Sequence, residues 1–182
     1  GTSSVRSLAY ADGYVYANRS VGSGESTIAK INAATGELVK EGSIPRASVM
    51  YLSVVGNTVF GGSSSANDQQ VILNADTLEA VDVGAEGGVM GFVTEVKDGK
   101  AYFIAGKSTD GNPGMYAFDV ATGKATRLGF TDANITLRCR NAFMTLQIDG
   151  KTYENCIMTC YGSGATPWIF NLDTVTTTSW SD

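Results

Sequence analysis

Histidine is absent from this sequence of 182 residues, proline occurs only 3 times, and charged residues make up only 17%. Because histidine is the commonest general base and the commonest metal ligand, its absence argues against most hydrolases and metalloenzymes, and no metal site is predicted. No apolar run approaches the roughly 18 residues that a membrane span needs, so no span is predicted. Low charge beside 43% hydrophobic residues also argues against a coiled coil, a helical bundle and a disordered chain.

Positive charge is also scarce, with 13 basic residues against 18 acidic ones and a net charge of −5. Nucleic acid is therefore not an expected partner, because phosphate binding needs a clustered positive surface. The one basic cluster, formed by Arg138 and Arg140 around Cys139, is predicted to be a strand edge or a loop anchor.

Three cysteines leave at least one thiol unpaired within the chain. In a strand, Cys156 and Cys160 would lie on one face about 13 Å apart, beyond disulfide reach. Cys139 on a neighbouring strand could meet one of them. Buried free thiols are nevertheless the favoured interpretation.

What the sequence does contain is glycine, 22 residues of it, and a repeat. Four segments share an apolar residue, then Asn or Asp, two variable positions and Thr. They are Ile31–Thr35, Leu73–Thr77, Phe118–Thr122 and Phe170–Thr174, and their threonines are 42, 45 and 52 residues apart.

The length of the chain fits one domain. The chain begins at Gly1 without methionine or a leader, which is typical of a mature or excised segment.

A second landmark precedes each segment: a turn glycine followed three positions later by an aromatic or β-branched residue. The pairs are Gly13 with Tyr16, Gly56 with Val59, Gly99 with Tyr102 and Gly150 with Tyr153. The glycine lies 22, 21, 23 and 24 residues before the threonine of its repeat. Two landmarks at a near-constant separation, four times over, indicate one structural unit that repeats.

Both landmarks have the chemistry of hairpin turns. A short polar side chain can bond backbone amides within the turn, and glycine takes the left-handed position. The residues between turns are apolar or alternate with polar ones, as in strands, for example Tyr14–Ala17, Phe92–Val96, Ala101–Ile104 and Phe143–Ile148. Each unit then has four strands, a to d. The glycine turn joins a to b, and the Asn/Asp to Thr segment joins c to d.

Four short antiparallel strands repeated every 40 to 50 residues or so predict an all-β fold, a β-propeller with four visible blades. A β-sandwich would also have many short strands, but nothing in it would repeat two landmarks at a constant separation. The predicted blades are residues 4–45, 46–86, 87–130 and 131–182. Three arrangements stay open: a closed four-bladed ring, a fragment of a larger propeller, or two chains that complete one ring. A fragment would expose sheet edges, so self-association or a missing propeller half is an expected consequence.

Residues Gly13–Ala17, Ile28–Val39 and Met115–Lys124 resemble the blade repeats of quinoprotein-like β-propellers. In quinoprotein alcohol dehydrogenases the turn threonine and glycine are followed by a tryptophan that docks neighbouring blades. This sequence has Glu37–Lys40 and Lys124–Arg127 there and no tryptophan, so neither that docking nor a quinone cofactor is expected. The composition, low in charge and rich in small polar residues, is also similar to uncharacterised propeller lipoproteins of the bacterial cell envelope, which implies an extracytoplasmic location.

Strand order places the a–b and c–d turns on one face of the disc and the b–c and d–a loops on the other. The b–c loops are long, and long loops on a rigid scaffold are where binding residues concentrate. Arginines and aromatics there suit polar or sugar ligands. The predicted ligand-binding residues of this face are Arg19, Arg46, Lys107, Asp110, Arg138, Arg140, Tyr161 and Trp168, with Glu25 and Asp68 as further polar loop residues.

No catalytic set is evident. The sequence has no Gly-x-Ser-x-Gly motif, and a serine or cysteine nucleophile would have no histidine to activate it. Asp110-Gly111-Asn112 lacks the later acidic ligand of an EF-hand loop and is predicted to be a turn. We therefore expect a non-catalytic, extracytoplasmic propeller module, without a cofactor, that binds a protein or a glycan on the b–c face. The alternative is a fragment of a quinoprotein-like or carbohydrate-active propeller enzyme.

Overall fold

The computed structural model describes residues 4–20, 25–45, 49–62, 71–106, 113–130, 140–160 and 166–180; for Ser20, Glu25, Pro45, Arg140 and Cys160 it describes the backbone alone. This part of the chain forms fifteen strands and no helix. The strands are β1 (Ser4–Ala11), β2 (Tyr14–Ser20), β3 (Glu25–Asn32), β4 (Leu38–Pro45), β5 (Tyr51–Val55), β6 (Thr58–Gly62), β7 (Ile72–Asn74), β8 (Gly88–Val89), β9 (Lys100–Gly106), β10 (Gly114–Asp119), β11 (Lys124–Arg127), β12 (Arg140–Ile148), β13 (Lys151–Cys160), β14 (Trp168–Asn171) and β15 (Thr176–Ser179).

The strands form propeller blades, which confirms the predicted fold class. Blade 1 is the antiparallel sheet β1-β2-β3-β4, and blade 4 is the antiparallel sheet β12-β13-β14-β15. Blade 2 (β5 to β7) and blade 3 (β8 to β11) are joined into one seven-stranded sheet. A single parallel pairing, Gly62 with Val89, connects them.

Glycine allows the backbones of blades 2 and 3 to approach this closely. A Cβ atom on Gly62 would lie 2.2 Å from the carbonyl oxygen of Gly91, and Gly91 itself has φ of 101°. A side chain at either position would push the two blades apart or strain the backbone.

The prediction of a regular strand over residues 92–96 is wrong. Blade 3 begins with the two-residue β8, and beyond it single hydrogen bonds reach β9, from Met90 N to Ile104 O (2.8 Å) and from Thr94 N to Tyr102 O (3.0 Å). The Thr94 hydroxyl accepts the Tyr102 amide at 2.8 Å. A side chain thus takes a place that a ladder carbonyl would fill, which interrupts the regular pairing.

The outer strand of blade 2 is also reduced, here to one bridge between Leu73 and Ala80. The chain then leaves blade 2 and bonds to blade 3 instead. Val83 O accepts the Ala125 amide at 2.6 Å, and Asp82 O accepts the Lys124 ammonium at 2.9 Å. These bonds fix blade 3 against blade 2 at the outer rim.

Every c–d turn has the hydrogen bonding that its sequence predicts. The acceptor is the side-chain oxygen of the repeat's Asn or Asp, and the donor is the amide of the threonine three residues later. The bonds are Thr35 to Asn32 (3.2 Å), Thr77 to Asn74 (2.9 Å), Thr122 to Asp119 (2.9 Å) and Thr174 to Asn171 (3.0 Å). The residue after the threonine has positive φ in all four turns: Gly36 (75°), Leu78 (55°), Gly123 (66°) and Val175 (53°).

A second recurring bond connects the c–d turn of each blade to its a–b hairpin. The amide after the repeat's Asn or Asp donates to a carbonyl of the a–b hairpin. The pairs are Ala33 with Gly13 (2.9 Å), Ala75 with Asn57 (3.0 Å), Val120 with Gly99 (3.0 Å) and Leu172 with Asn155 (3.1 Å). In blades 1 and 3 the acceptors are the predicted landmark glycines.

In blades 2 and 4 the predicted landmark glycines, Gly56 and Gly150, do not accept this bond and are not the equivalents of Gly13. Asn57, not Gly56, is the equivalent of Gly13, so Phe60 rather than Val59 is the equivalent of Tyr16. In blade 4 the hairpin of β12 and β13 extends past the c–d turn to Gly150, and the equivalent acceptor is Asn155. The residue that matches Tyr16 there is Met158, not Tyr153, and Met158 pairs with Ile169 as Tyr16 pairs with Lys30.

Three apolar clusters lie between consecutive blades. One joins blades 1 and 2 around Tyr16 and Leu73, one joins blades 2 and 3 around Phe60 and Phe118, and one joins blades 3 and 4 around Ile104 and Phe170. No cluster of the described residues joins blade 4 to blade 1, and the described strands of these two blades do not pair with each other.

The four c–d turns allow a prediction about stability. An L-residue in the left-handed region is less stable than glycine by about 1–2 kcal/mol. A Cβ added to Gly36 or Gly123 would meet nothing within 4 Å, so Gly36→Ala and Gly123→Ala should each lower the free energy of unfolding by about 0.5–1 kcal/mol, which is the backbone cost less the reduced freedom of alanine in the unfolded chain. Val175→Gly makes the opposite change and should raise it by about 0.5–1 kcal/mol, after the greater freedom of glycine in the unfolded chain. Urea denaturation measures all three, and equal losses in all three variants would contradict the prediction.

Candidate functional site

Most of the predicted binding residues of the b–c face lie outside the described residues. These are Arg46, Lys107, Asp110, Arg138 and Tyr161, together with Asp68. The backbone of Arg140 opens β12, an edge strand, and lies opposite Cys160. That face therefore stays a prediction.

The two predicted residues whose side chains are described lie in different blades. Arg19 is exposed in blade 1, where its guanidinium is 3.4 Å from a carboxylate oxygen of Glu41. Trp168 is half-buried in blade 4 and packs against the cluster between blades 3 and 4. The structure does not bring Arg19 and Trp168 together, and Trp168 serves as a packing residue.

A pocket of about 230 Å³ lies instead on the opposite face, among the tight turns of blades 1 and 2. The a–b turns of both blades and the c–d turn of blade 2 form its rim. Its lining residues are Asp12, Tyr14, Tyr16, Lys30, Gly56, Asn57, Ala75 and Asp76. The pocket thus lies across an inter-blade boundary.

Lys30 is the central side chain of this pocket. It extends from β3 of blade 1, only 7% of its side chain is exposed, and its ammonium group is 2.9 Å from Oδ1 of Asp76 in blade 2. The same nitrogen lies 4.3 Å from the centre of the Tyr14 ring and 5.8 Å from that of Tyr16. A buried ammonium is stable only when paired, and here a carboxylate and two aromatic rings surround it.

Tyr16 makes the second polar contact between the two blades. Its hydroxyl donates to the carbonyl oxygen of Ala75 at 3.1 Å. Burial raises the pKa of Tyr16, although the nearby Lys30 charge acts in the opposite direction. The hydroxyl therefore stays protonated at neutral pH and keeps its role as a donor.

The charges of Lys30 and Asp76 support each other. Burial alone would lower the pKa of Lys30, but its hydrogen bond to Asp76 and the neighbouring Tyr16 hydroxyl outweigh burial, and the pKa is raised. The hydrogen bond from Lys30 is also the main reason why the pKa of Asp76 is lowered. Both groups are charged at neutral pH.

One position of the repeat is the sequence signal for this site. Two residues before the repeat's Asn or Asp, blades 2 to 4 have Ile72, Ala117 and Ile169, whereas blade 1 has Lys30. A charged residue at a position that is otherwise apolar and faces the next blade points to a buried charge with a partner there.

Metal ligands and membrane spans give no further candidate. The described residues contain no cluster of three or more Cys, Asp or Glu side chains that could hold a metal ion. They also contain no helix long and apolar enough to cross a membrane. Cys156 is fully buried as a free thiol, as predicted, and burial raises its pKa; Cys139 lies outside the described residues.

No protein-family model and no curated protein matches the sequence. Solved structures match it at the level of the fold. The chain is similar to the computationally designed Ika4 protein (16% identity, TM-score 0.54, 99% of this chain and 92% of that one). It is similar to the quinohemoprotein alcohol dehydrogenase ADHIIG from Pseudomonas putida HK5 (14% identity, TM-score 0.56, 95% and 34%). It is also similar to the Dos1 propeller (10% identity, TM-score 0.52, 92% and 44%).

These similarities support the propeller fold that the repeats predicted, and a quinohemoprotein dehydrogenase is one of the similar structures. The chain spans about a third of the length of the dehydrogenase and less than half that of the Dos1 propeller. They contain nothing on the resemblance to cell-envelope lipoproteins.

The Lys30–Asp76 pair leads to a prediction about pH. The pKa of Asp76 is lowered from its ordinary value of 3.8, so the pair stabilises the folded chain fully above pH 3.8, and the effect is lost as the pH falls below it. The pKa of Lys30 is raised from its ordinary value of 10.5. The pair therefore also stabilises the folded chain fully up to pH 10.5, and this stabilisation is lost at higher pH. Asp76→Asn should therefore lower the melting temperature at pH 7, with a difference from wild type that shrinks below pH 3.8.

Asp173→Asn is the matched control. Asp173 occupies the same turn position in blade 4 but accepts a hydrogen bond from the Asn155 amide at 2.6 Å instead of a lysine. Thermal unfolding from pH 2.5 to 9 compares the two variants. A difference for Asp76→Asn that is the same at pH 2.5 and pH 7 would contradict the ion-pair argument.

Proposed function

We propose that this chain is a non-catalytic propeller module that binds a glycan, and that the Lys30 pocket takes one sugar ring of it. The observation that supports this function is the composition of the pocket, which places a tyrosine ring beside side chains that donate and accept hydrogen bonds. Sugars have apolar faces that stack on aromatic rings and hydroxyl groups that both donate and accept.

The charges around the pocket favour a neutral ligand. The Lys30 ammonium is already paired with Asp76 at 2.9 Å, so an anionic ligand would have to compete with a bound carboxylate. A cationic ligand would compete with Lys30 for the ring of Tyr14. The carboxylates of Asp12 and Asp76 and the amide of Asn57 can instead bond neutral hydroxyl groups.

The size of the pocket sets the extent of the ligand that it can hold. About 230 Å³ is below the usual range of 300–1,000 Å³ for drug-sized ligands. One sugar ring at the end or edge of a longer glycan suits this volume. Weak binding of free monosaccharides and tighter binding of oligosaccharides are the expected pattern.

An extracytoplasmic location belongs to the same proposal, and the b–c face is the alternative site of binding; both rest on sequence alone. Long b–c loops support the b–c face, and the composition supports the location. If the ligand is a protein or a glycan held by those loops, Lys107 is a residue that should matter and Tyr14 is not. The two faces can therefore be compared in one binding experiment.

The experiment measures binding of a glycan panel by thermal shift and calorimetry. Tyr14→Ala removes the ring and should weaken binding about tenfold or more, equivalent to ~1.4 kcal/mol. Tyr10→Ala is the matched control, because Tyr10 belongs to the same blade, is 69% exposed and faces away from blade 2. Lys107→Ala reports on the b–c face.

Three results would contradict the proposal. Absence of any glycan ligand in the panel would contradict the function. Loss of binding in Lys107→Ala with full binding in Tyr14→Ala would move the site to the b–c face. Stabilisation by pyrroloquinoline quinone, together with alcohol oxidation, would support a quinoprotein enzyme instead.

A further inference from the structure

We propose that Asp12 determines the sugar specificity of the Lys30 pocket, because its carboxylate accepts hydrogen bonds from two adjacent hydroxyl groups of one neutral sugar ring. This inference rests on the proposed function and deepens it by naming the groups through which the ligand is recognised. Two carboxylates line the pocket, and only that of Asp76 is bonded within the protein.

The side-chain donors deep in the pocket are already engaged. The Lys30 ammonium donates to Oδ1 of Asp76 at 2.9 Å and lies 4.3 Å from the centre of the Tyr14 ring. Only 7% of the Lys30 side chain is exposed. The single proton of the Tyr16 hydroxyl goes to the carbonyl oxygen of Ala75 at 3.1 Å. Lys30 and Tyr16 therefore have little donor capacity left for a ligand.

The c–d turn of blade 2, which forms one side of the pocket, is engaged as well. The Ala75 amide donates to the carbonyl oxygen of Asn57 at 3.0 Å, and the Asp76 amide donates to Oδ1 of Asn74 at 2.8 Å. Hydrogen bonds from Lys30 first and from Asn57 in addition lower the pKa of Asp76. The Asp76 carboxylate thus has two donors from the protein itself.

Asp12 differs from Asp76 in this respect. Its carboxylate belongs to neither ion pair of the described residues, and none of these residues donates a hydrogen bond to it. Asp12 is exposed and lines the pocket from the a–b turn of blade 1. Burial is the main reason why the pKa of Tyr16 is raised, and the Asp12 charge raises that pKa further. The unbonded carboxylate therefore acts on the interior of the pocket.

The turn itself does not require a charge at this position. Ala11 pairs with Tyr14 across a two-residue hairpin turn, in which Asp12 has φ of 49° and Gly13 has φ of 81°. Asn adopts the first position of such a turn as readily as Asp does. The backbone thus holds the carboxylate at the rim of the pocket, and a ligand can use both of its oxygens.

A sugar ring offers the donors that this carboxylate lacks. An ionised carboxylate only accepts hydrogen bonds, and its two oxygens can each take one donor. Two adjacent hydroxyl groups present two donors side by side, while the Tyr14 ring can stack on the apolar face of the same sugar ring. Because hydrogen bonds to a charged group are stronger than those between neutral groups, the pocket should select sugars by hydroxyl groups that donate.

Calorimetry with trisaccharides of glucose, mannose and galactose tests the role of Asp12. Asp12→Asn preserves the turn and should weaken binding about tenfold or more. Asp98→Asn is the matched control and should bind like wild type. Asp98 occupies the same turn position in blade 3 with φ of 51°, lies outside the pocket, and its substitution changes the net charge equally.

Fluorinated trisaccharides identify the hydroxyl groups that donate. Fluorine has nearly the size of a hydroxyl group but cannot donate, so each single replacement on the terminal ring removes one donor. Two adjacent replacements should each weaken binding to wild type about tenfold, and they should weaken binding to Asp12→Asn far less. Loss of binding without such coupling between the fluorine positions and Asp12 overturns the proposal.

The remaining outcomes separate this inference from the proposed function. Binding that requires Tyr14 but is unchanged in Asp12→Asn overturns the role of Asp12 and leaves the proposed function intact. Equal losses in Asp12→Asn and Asp98→Asn overturn it as well, because they indicate an effect of net charge. Tighter binding of the glucosamine trisaccharide than of the glucose trisaccharide would assign Asp12 to an ammonium group instead. If wild type binds no sugar at all, the proposed function and this inference both fail.

Discussion

Each blade depends on the side-chain oxygen of one Asn or Asp at the turn between its two outer strands. That oxygen accepts the amide of the threonine three residues later in all four blades, at 2.9 to 3.2 Å. The turn is thereby held in one shape, and the amide that follows the Asn or Asp is directed at the a–b hairpin. Strand register across the blade follows, because a shift by one residue would break both bonds and reverse which residues face the core.

The contacts between blades use different chemistry at each boundary. Blades 1 and 2 are joined by the ion pair of the buried Lys30 with the exposed Asp76 and by the Tyr16 hydroxyl. Blades 2 and 3 are joined by backbone bonds at Gly62 and Val83. The boundary of blades 3 and 4 is mainly apolar, with Phe130 against Phe170. The described contacts between consecutive blades thus differ from boundary to boundary, and no single docking residue is repeated at all of them.

Short-range chemistry explains what could be predicted from sequence. Turns depend on adjacent residues, so the four c–d turns and the all-β propeller were evident, and the fold is confirmed. The wrong predictions concern residues whose conformation depends on partners that are distant in the sequence. Thr94 binds an amide eight residues away and breaks the strand expected over residues 92–96. In blade 4 the hairpin is longer than in the other blades, so counting residues from its turn glycine identifies Tyr153 as the equivalent of Tyr16. The hydrogen bonds identify Met158 instead.

The Lys30 pocket was missed for the same reason, and its origin bears on how a repeat protein acquires a site. Identical blades would give identical boundaries, and a distinct pocket requires one boundary to depart from the others. In this chain the difference is a single lysine, Lys30, at a position that is apolar in the other three repeats. Lys30 forms an ion pair with Asp76 across the boundary. Because the buried Lys30 charge would be costly if unpaired, the Asp76 carboxylate stabilises the presence of a lysine at this position. The pocket therefore lies at the boundary where the sequence differs from the other repeats.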